Sequence, residues 1–170
     1  QTGVSQITPG VNVLDFFQIH ILPELQDRSH RPVVKATAIK YVSVFRRQFS
    51  RENLVHLLPL LISHLSSTVI VVHTYAAYAI ERILVTRDQV GGRNIPKIGS
   101  TELQAVIEPL FNGLFAIIEL QQNENDYAMK CIMRSLDTAG ETIIPVTPVV
   151  ITKLTDALGR VARNPRNPQY

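Results

Sequence analysis

The side chains best suited to acid–base, metal-binding or nucleophilic chemistry are five histidines and a single cysteine. His56 and His64 are eight residues apart, about two helical turns, whereas two ligands of one metal on a helix stand three or four residues apart. Cys131 has Met129 and Ile132 as neighbours, which is typical of a small buried residue rather than of a nucleophile. These patterns predict neither a metal site nor an enzyme.

Phosphate-binding and carboxylate motifs are also missing from the sequence. Gly91, Gly92 and Gly99 do not form a GxxxxGK or GxGxxG loop. Glu124 and Asp126 flank a predicted helix start, where negative charge favours the helix dipole and so has a structural explanation. We therefore predict no cofactor and no catalytic residue.

Charge is distributed unevenly along the chain. Residues 28–51 contain seven bases and no acid, whereas residues 98–129 contain five acids and no base. Four of the bases lie on a predicted helix over 32–48, in two rows opposite its apolar stripe. They form either a solvated face or a surface that meets an acidic partner, in which case they would set partner choice and association rate more than affinity. The rows are Lys35 with Arg46, and Lys40 with Arg47.

The composition is that of a globular chain. The 170 residues are 45% apolar and 18% charged, with a net charge of +3; this excess does not by itself predict nucleic-acid binding. The longest apolar runs, at 54–65 and 69–80, are shorter than the roughly 18–20 residues that span a bilayer, so no membrane segment is predicted. One cysteine fits a reducing compartment, and the start at Gln1 leads us to expect a segment of a longer protein.

Apolar residues recur at helical spacing along nearly the whole chain, which predicts an all-α fold. No sheet is expected, because no long segment alternates with a period of two. The expected N-caps are Asn12, Ser50, Ser100 and Asn123. The predicted helices span about 12–26, 32–48, 51–66, 69–87, 101–120, 124–140 and 147–163.

Four of these helices carry a proline followed by an apolar cluster, and the prolines recur 36, 50 and 39 residues apart. If the polar stretch 88–100 is an inserted loop, the unit is two helices in about 36–39 residues, which is typical of HEAT or armadillo solenoids. An ordinary helical bundle is the alternative. We predict one segment, residues 1–170, forming a right-handed α-solenoid of about three and a half HEAT repeats. Its helix pairs span about 12–48, 51–87 and 101–140, with a final helix at 147–163; the prolines are Pro23, Pro59, Pro109 and Pro148.

The loop 88–100 has two interpretations. It is a disordered insertion, tolerated because the entropic cost of loop closure grows slowly with length. Alternatively, it contacts a partner through Arg93 and Lys97. The first interpretation predicts the most mobile internal segment of the chain.

Several segments in order along the chain resemble the middle of exportins in the importin-β (karyopherin-β) superfamily. The sequence departs from that pattern in the loop 88–100, at Arg47 and at Tyr170. The similar segments lie at 16–25, 35–46, 59–65, 71–82, 124–135 and 164–168, and include Val71-Val72-His73-Thr74-Tyr75-Ala76-Ala77 and Asp126-Tyr127-Ala128-Met129-Lys130.

The resemblance implies part of a nuclear export receptor that carries importin-α from nucleus to cytoplasm with Ran in its GTP state. It further implies shuttling between these compartments, contacts with nuclear pore proteins, and no catalysis, specific nucleic acid or membrane. It transfers no compact contact motif to this segment. Candidate partner contacts therefore rest on charge alone: Lys35, Lys40, Arg46, Arg47, Arg93 and Lys97. A generic HEAT-repeat scaffold for other protein partners is the alternative function.

Overall fold

The computed structural model describes residues 12–27, 31–120 and 125–163. Within these ranges the chain forms nine α-helices, joined at several points by short π or 3-10 segments, and one two-stranded hairpin. The helices are α1 (Val13–Phe16), α2 (Leu22–Gln26), α3 (Pro32–Phe45), α4 (Arg51–Ser63), α5 (Ile70–Leu84), α6 (Ser100–Gln104), α7 (Ile107–Leu120), α8 (Asp126–Ala139) and α9 (Thr147–Arg163). The strands are β1 (Arg87–Val90) and β2 (Arg93–Pro96).

The helices form two layers. One layer contains α4, α7 and α9, and the other contains α3, α5 and α8, with α5 packed between α3 and α8. We call these the first-helix layer and the second-helix layer. Helices that follow each other in sequence pack across the layers, as α4 does with α5 and α7 with α8. Each layer therefore shields one face of the other, and the all-α prediction is confirmed apart from the hairpin.

The central helix α5 is buried because its neighbours cover it on several sides. Ala76, Ala77 and Ala79 are completely inaccessible to solvent. Small side chains at these positions let the flanking helices approach closely, which dispersion forces reward over many contacts. At the other end of the core, the rings of Phe17 and Phe49 meet edge to face with centroids 4.8 Å apart.

Side-chain caps explain where the helices begin. The predicted caps Asn12 and Ser50 are confirmed, since their side-chain oxygens accept hydrogen bonds from backbone N–H groups of the first turn. The prediction of Ser100 is wrong: Gly99 precedes the helix, and its N–H donates to the Glu102 carboxylate at 2.8 Å. Asn123 lies outside the described residues, and Asn125 caps α8.

The predicted helix over 101–120 is two helices, because Ala105 and Val106 leave the α-helical pattern. Pro109 consequently lies in the first turn of α7, where its missing N–H costs no hydrogen bond. Pro59 alone of the four repeat prolines lies inside an α-helix of the described residues. Pro23 follows a π-helical segment (Phe17–Ile21), whose wider turn accommodates the break in hydrogen bonding.

The expectation of no sheet and of an unstructured insertion at 88–100 is wrong. β1 and β2 pair antiparallel, with Val90 opposite Arg93 and Arg87 opposite Pro96. Gly91 and Gly92 form the two-residue turn with φ of +58° and +77°. Glycine adopts this left-handed conformation without a Cβ penalty, as tight hairpins require.

The helical run from Asp126 to Arg160 contains an 18-residue window with a mean hydropathy of 1.2, and by length and composition it is apolar enough to cross a membrane. Its geometry argues against one continuous span. A 3-10 segment (Gly140–Val146) separates α8 from α9, and Gly140 has φ of +53°. The separate helices have 14 and 17 residues, and both carry charged side chains, as amphipathic helices of a packed domain do.

Two glycines in helix interiors are expected to respond oppositely to alanine. A Cβ at Gly113 would lie 2.8 Å from the Cβ of Leu65, an atom too close to the backbone to move aside. Gly113→Ala is therefore expected to lower the free energy of unfolding by about 1–3 kcal/mol, despite the better helix propensity of alanine. Urea denaturation measures this change.

The matched control is Gly159→Ala in α9, where an added Cβ meets nothing within 4 Å. Here alanine should raise the free energy of unfolding by about 0.5–1 kcal/mol, because only propensity and unfolded-state entropy change. Stabilisation by both substitutions would show that α7 and the Leu65 turn are not in close contact.

Candidate protein-interaction surface

The structure separates the two members of the first predicted basic row. Lys35 is only 8% exposed, and its ammonium donates to the backbone carbonyls of Glu24 and Asp27 at the end of α2. These carbonyls have no partner within their own helix, so a cation there satisfies them and favours the helix dipole. The placement of Lys35 on a solvated or partner-facing surface is therefore wrong.

Arg46 lies half-buried at the end of α3. Its Nη1 donates to the carbonyl of Ser43 at 2.6 Å, whereas its Nε is buried without an acceptor. Burial lowers the pKa of Arg46, and the nearby positive charges of Arg82 and Arg47 lower it further. Arg46 is thus held where its charge is unfavourable in the free chain.

Arg82 extends from α5 into the same neighbourhood. Its Nε is also buried without an acceptor, and its Nη1 lies 3.8 Å from the carboxylate of the adjacent Glu81. We call Arg46, Arg47 and Arg82 the arginine cluster. Glu81 is the carboxylate whose charge acts on Arg46 in this neighbourhood. Three guanidinium groups beside one carboxylate leave an excess of positive charge on the second-helix layer.

The sequence interpretation of Glu81-Arg82 as a simple solvated patch missed this contact. Arg46 and Arg82 are 36 residues apart, which matches one repeat, so the periodicity contained a usable signal. Equivalent positions in successive repeats lie side by side when the helices stack. The signal was the spacing itself rather than any local motif.

The arginine cluster is suited to binding carboxylates. A guanidinium presents its donors in a planar fork that matches a carboxylate in two parallel hydrogen bonds. A buried N–H without an acceptor costs about 1–3 kcal/mol, and an incoming oxygen would recover that cost. Towards α8 the surface continues to the rings of Tyr78 and Tyr127, which meet edge to face at 5.6 Å.

The remaining predicted contacts lie apart or are buried. Lys40 on α3 and Arg93 on β2 are exposed. Lys97 is only 5% exposed, and its ammonium donates to the carbonyls of Arg47 and Phe49 and pairs with Asp88 at 3.2 Å. The prediction that Lys97 contacts a partner is therefore wrong, because its charge is used to fasten the hairpin to the turn after α3.

The predicted roles of the histidines and the cysteine agree with their surroundings. His56 is exposed and donates to the carbonyl of Glu52, while His73 is buried and donates to that of Ser67. Burial raises the pKa of the Cys131 thiol to about 12, so the thiol stays protonated and unreactive at neutral pH. Among the described residues, no group of three or more metal-ligating side chains comes together.

His64 gives the chain a predictable pH dependence. Burial and the charge of Lys35 lower its pKa below the ordinary value of 6.5, while Nε2 donates to the carbonyl of Leu25 at 3.0 Å. As the pH falls below 6.5, the unfolded chain binds a proton that the folded chain resists. The free energy of unfolding should therefore decrease from pH 7 towards pH 5.

His64→Gln keeps a donor for Leu25 but cannot ionise, so it should reduce this decrease when urea denaturation is compared at pH 7 and pH 5. The control is His56→Gln, an exposed substitution that should leave the pH dependence of the native chain. Equal pH dependence in both variants would contradict this role of His64.

Comparisons with known proteins cover nearly the whole chain. The family described as Cse1 matches residues 1–80, and the family described as CAS/CSE protein, C-terminus, matches residues 81–170. Exportin-2 of Mus musculus is 43% identical over 171 residues, and Exportin-2 of Homo sapiens is 42% identical. In both cases the alignment covers 99% of this chain and 17% of the relative, so the chain spans about a sixth of its length.

A solved structure also matches. The exportin Cse1 in its cargo-free, cytoplasmic state superposes on 96% of this chain with a TM-score of 0.74 and 29% sequence identity. The match covers 16% of that exportin. The predicted helical solenoid is therefore confirmed, since a stacked helical array of the same design exists in that longer protein.

Proposed function

Because this chain belongs to the CAS/CSE protein family, we propose that it is a segment of a nuclear export receptor that carries importin-α to the cytoplasm with Ran in its GTP state. The observation that carries the proposal is the similarity to proteins named Exportin-2 over 99% of the chain. That name supports transport over the generic HEAT-repeat scaffold. The proposal places the receptor in both nucleus and cytoplasm, with nuclear pore proteins as further partners and no catalysis.

The mechanism we propose is elastic wrapping. Stacked repeats contact mainly their neighbours, so small rotations between repeats add up to a large change in the shape of the whole receptor. Ran in its GTP state stabilises the cargo-bound shape, and hydrolysis of the nucleotide releases the cargo. This is a coupling of two binding equilibria, in which each ligand strengthens the other by the same factor.

Within this segment, the arginine cluster is the proposed contact with acidic groups of a partner. Arg46 and Arg82 supply donors that lack acceptors in the free chain, and exposed Lys40 extends the positive charge along α3. Complementary charge raises the association rate and disfavours basic partners. The surface accordingly contributes selectivity within an interface that extends over more of the receptor.

The test is equilibrium binding of the full-length receptor to importin-α in the presence of Ran·GTP and, separately, of Ran·GDP. We expect binding at least ~10-fold tighter with Ran·GTP, which corresponds to a coupling free energy of about 1.4 kcal/mol or more. Equal affinity in the two nucleotide states would refute the export role and leave only the solenoid.

A further inference from the structure

A second basic feature lies apart from the arginine cluster. A groove of about 560 Å³ runs between the hairpin, the end of α5 and α8. Arg87 from β1 and Arg134 from α8 both line it. All of its lining residues are described by the structure, and among them Asp137 is the one carboxylate. The groove therefore has a net positive charge.

Arg134 is held in this groove with an unsatisfied donor. Its Nη1 lies 3.2 Å from the carboxylate of Asp137, which is 73% exposed, whereas its Nε is buried without an acceptor. The ion pair with Asp137 is mostly in water and therefore weak. An anionic oxygen that displaces Asp137 and reaches Nε–H would gain a charge-assisted hydrogen bond.

The rest of the lining is suited to a peptide rather than to nucleic acid. Val85 and Pro96 provide apolar surface, and Ser100 and Thr138 provide hydroxyl groups. No aromatic residue lines the groove, so there is no platform on which a base could stack. Two arginines also fall short of the extended track of cations that neutralises a nucleic-acid backbone.

We propose that this groove binds an acidic segment of a protein partner, with one carboxylate bound by Arg134, a second by Arg87, and an apolar side chain against Val85 and Pro96. The hairpin supplies one wall, which gives the ordered 87–96 segment a role in recognition. This inference does not depend on the identity of the transport partners, because it follows from the groove alone.

The test is fluorescence anisotropy of a fluorescein-labelled Glu-Glu-Leu-Glu-Glu peptide with the 170-residue chain. Arg87→Gln on the exposed hairpin should weaken binding about 5- to 10-fold, which corresponds to about 1.0–1.4 kcal/mol. Arg163→Gln, in the last turn of α9, removes the same charge away from the groove and should leave the affinity unchanged.

Asp137→Asn provides a gain of binding that misfolding cannot imitate. It removes the competing carboxylate from Arg134, so the peptide should bind about 3-fold more tightly. No detectable binding, equal weakening by Arg87→Gln and Arg163→Gln, or no gain with Asp137→Asn would each overturn the proposal. A twelve-nucleotide single strand that displaces the labelled peptide at lower concentration than the unlabelled peptide would also overturn it, in favour of nucleic acid.

Discussion

Replacement of Lys97 by methionine is expected to lower the free energy of unfolding by about 2–4 kcal/mol, measured by urea denaturation of the chain. The buried ammonium bonds the carbonyls of Arg47 and Phe49 at 3.1 and 2.5 Å and pairs with Asp88. Methionine fills a similar volume but supplies no donor, so both carbonyls lose their ammonium partner. Hydrogen exchange of the hairpin amides should accelerate as well, because the hairpin loses its anchor to the turn after α3.

The control for this substitution is Lys40→Met on the same face of the sequence pattern. Lys40 is exposed, so its replacement should change the free energy of unfolding by no more than about 0.5 kcal/mol. If Lys97→Met were as mild as Lys40→Met, the hairpin would not depend on the buried ammonium.

The double substitution Arg46→Gln with Arg82→Gln in the full-length receptor is expected to weaken the complex with importin-α and Ran·GTP about 10- to 100-fold. The stability of the free protein should change by less than about 1 kcal/mol, because both Nε–H groups already lack acceptors there. A loss of binding without loss of stability distinguishes a contact surface from a structural ion pair. Titration calorimetry and thermal denaturation measure the two quantities.

Arg51→Gln with Lys153→Gln is the matched control. It removes the same two charges from the first-helix layer, where Arg51 pairs with Glu102 and Lys153 with Glu119. These exposed pairs contribute little to stability, and the control should bind as the native receptor does. Equal weakening by the two double substitutions would mean that net charge, and not the arginine cluster, is recognised.

Helical periodicity predicted most of the fold because it reports directly which face of each helix is buried. The apolar stripes placed every long helix near its observed position, and the proline spacing indicated the repeat. Periodicity was uninformative for residues 87–96, whose register is set by a two-residue glycine turn. The Gly91-Gly92 pair between Val90 and Arg93 is a hairpin signal that can be read from the sequence.

The errors at Lys35 and Lys97 have a common physical origin. A helical wheel assigns a lysine to the polar face but does not show which carbonyls from other elements end beside it. Both ammonium groups lie against backbone carbonyls that follow a helix end, 8 and 11 residues away for Lys35 and 48 and 50 residues away for Lys97. Such contacts depend on how the elements pack, which single-sequence patterns do not encode.

The candidate site was partly predictable for the same reason. Arg46 and Arg47 could be selected from their charge and helix face, but Arg82 becomes relevant only because α5 packs beside α3. The buried Nε atoms of Arg46 and Arg82 could not be foreseen, since burial of part of a side chain depends on its neighbours in three dimensions.

The most direct test of the arginine cluster as a partner contact is arginine-selective dicarbonyl labelling of the full-length receptor, followed by mass spectrometry. Labelling of Arg46 and Arg82 would be compared in the free receptor and in its complex with importin-α and Ran·GTP, with Arg51 on α4 as the reference. We predict that complex formation protects Arg46 and Arg82 at least ~5-fold while Arg51 stays unchanged, because carboxylates of the partner occupy the guanidinium donors. Unchanged labelling of Arg46 and Arg82 in an assembled complex would contradict the assignment of this surface to the interface.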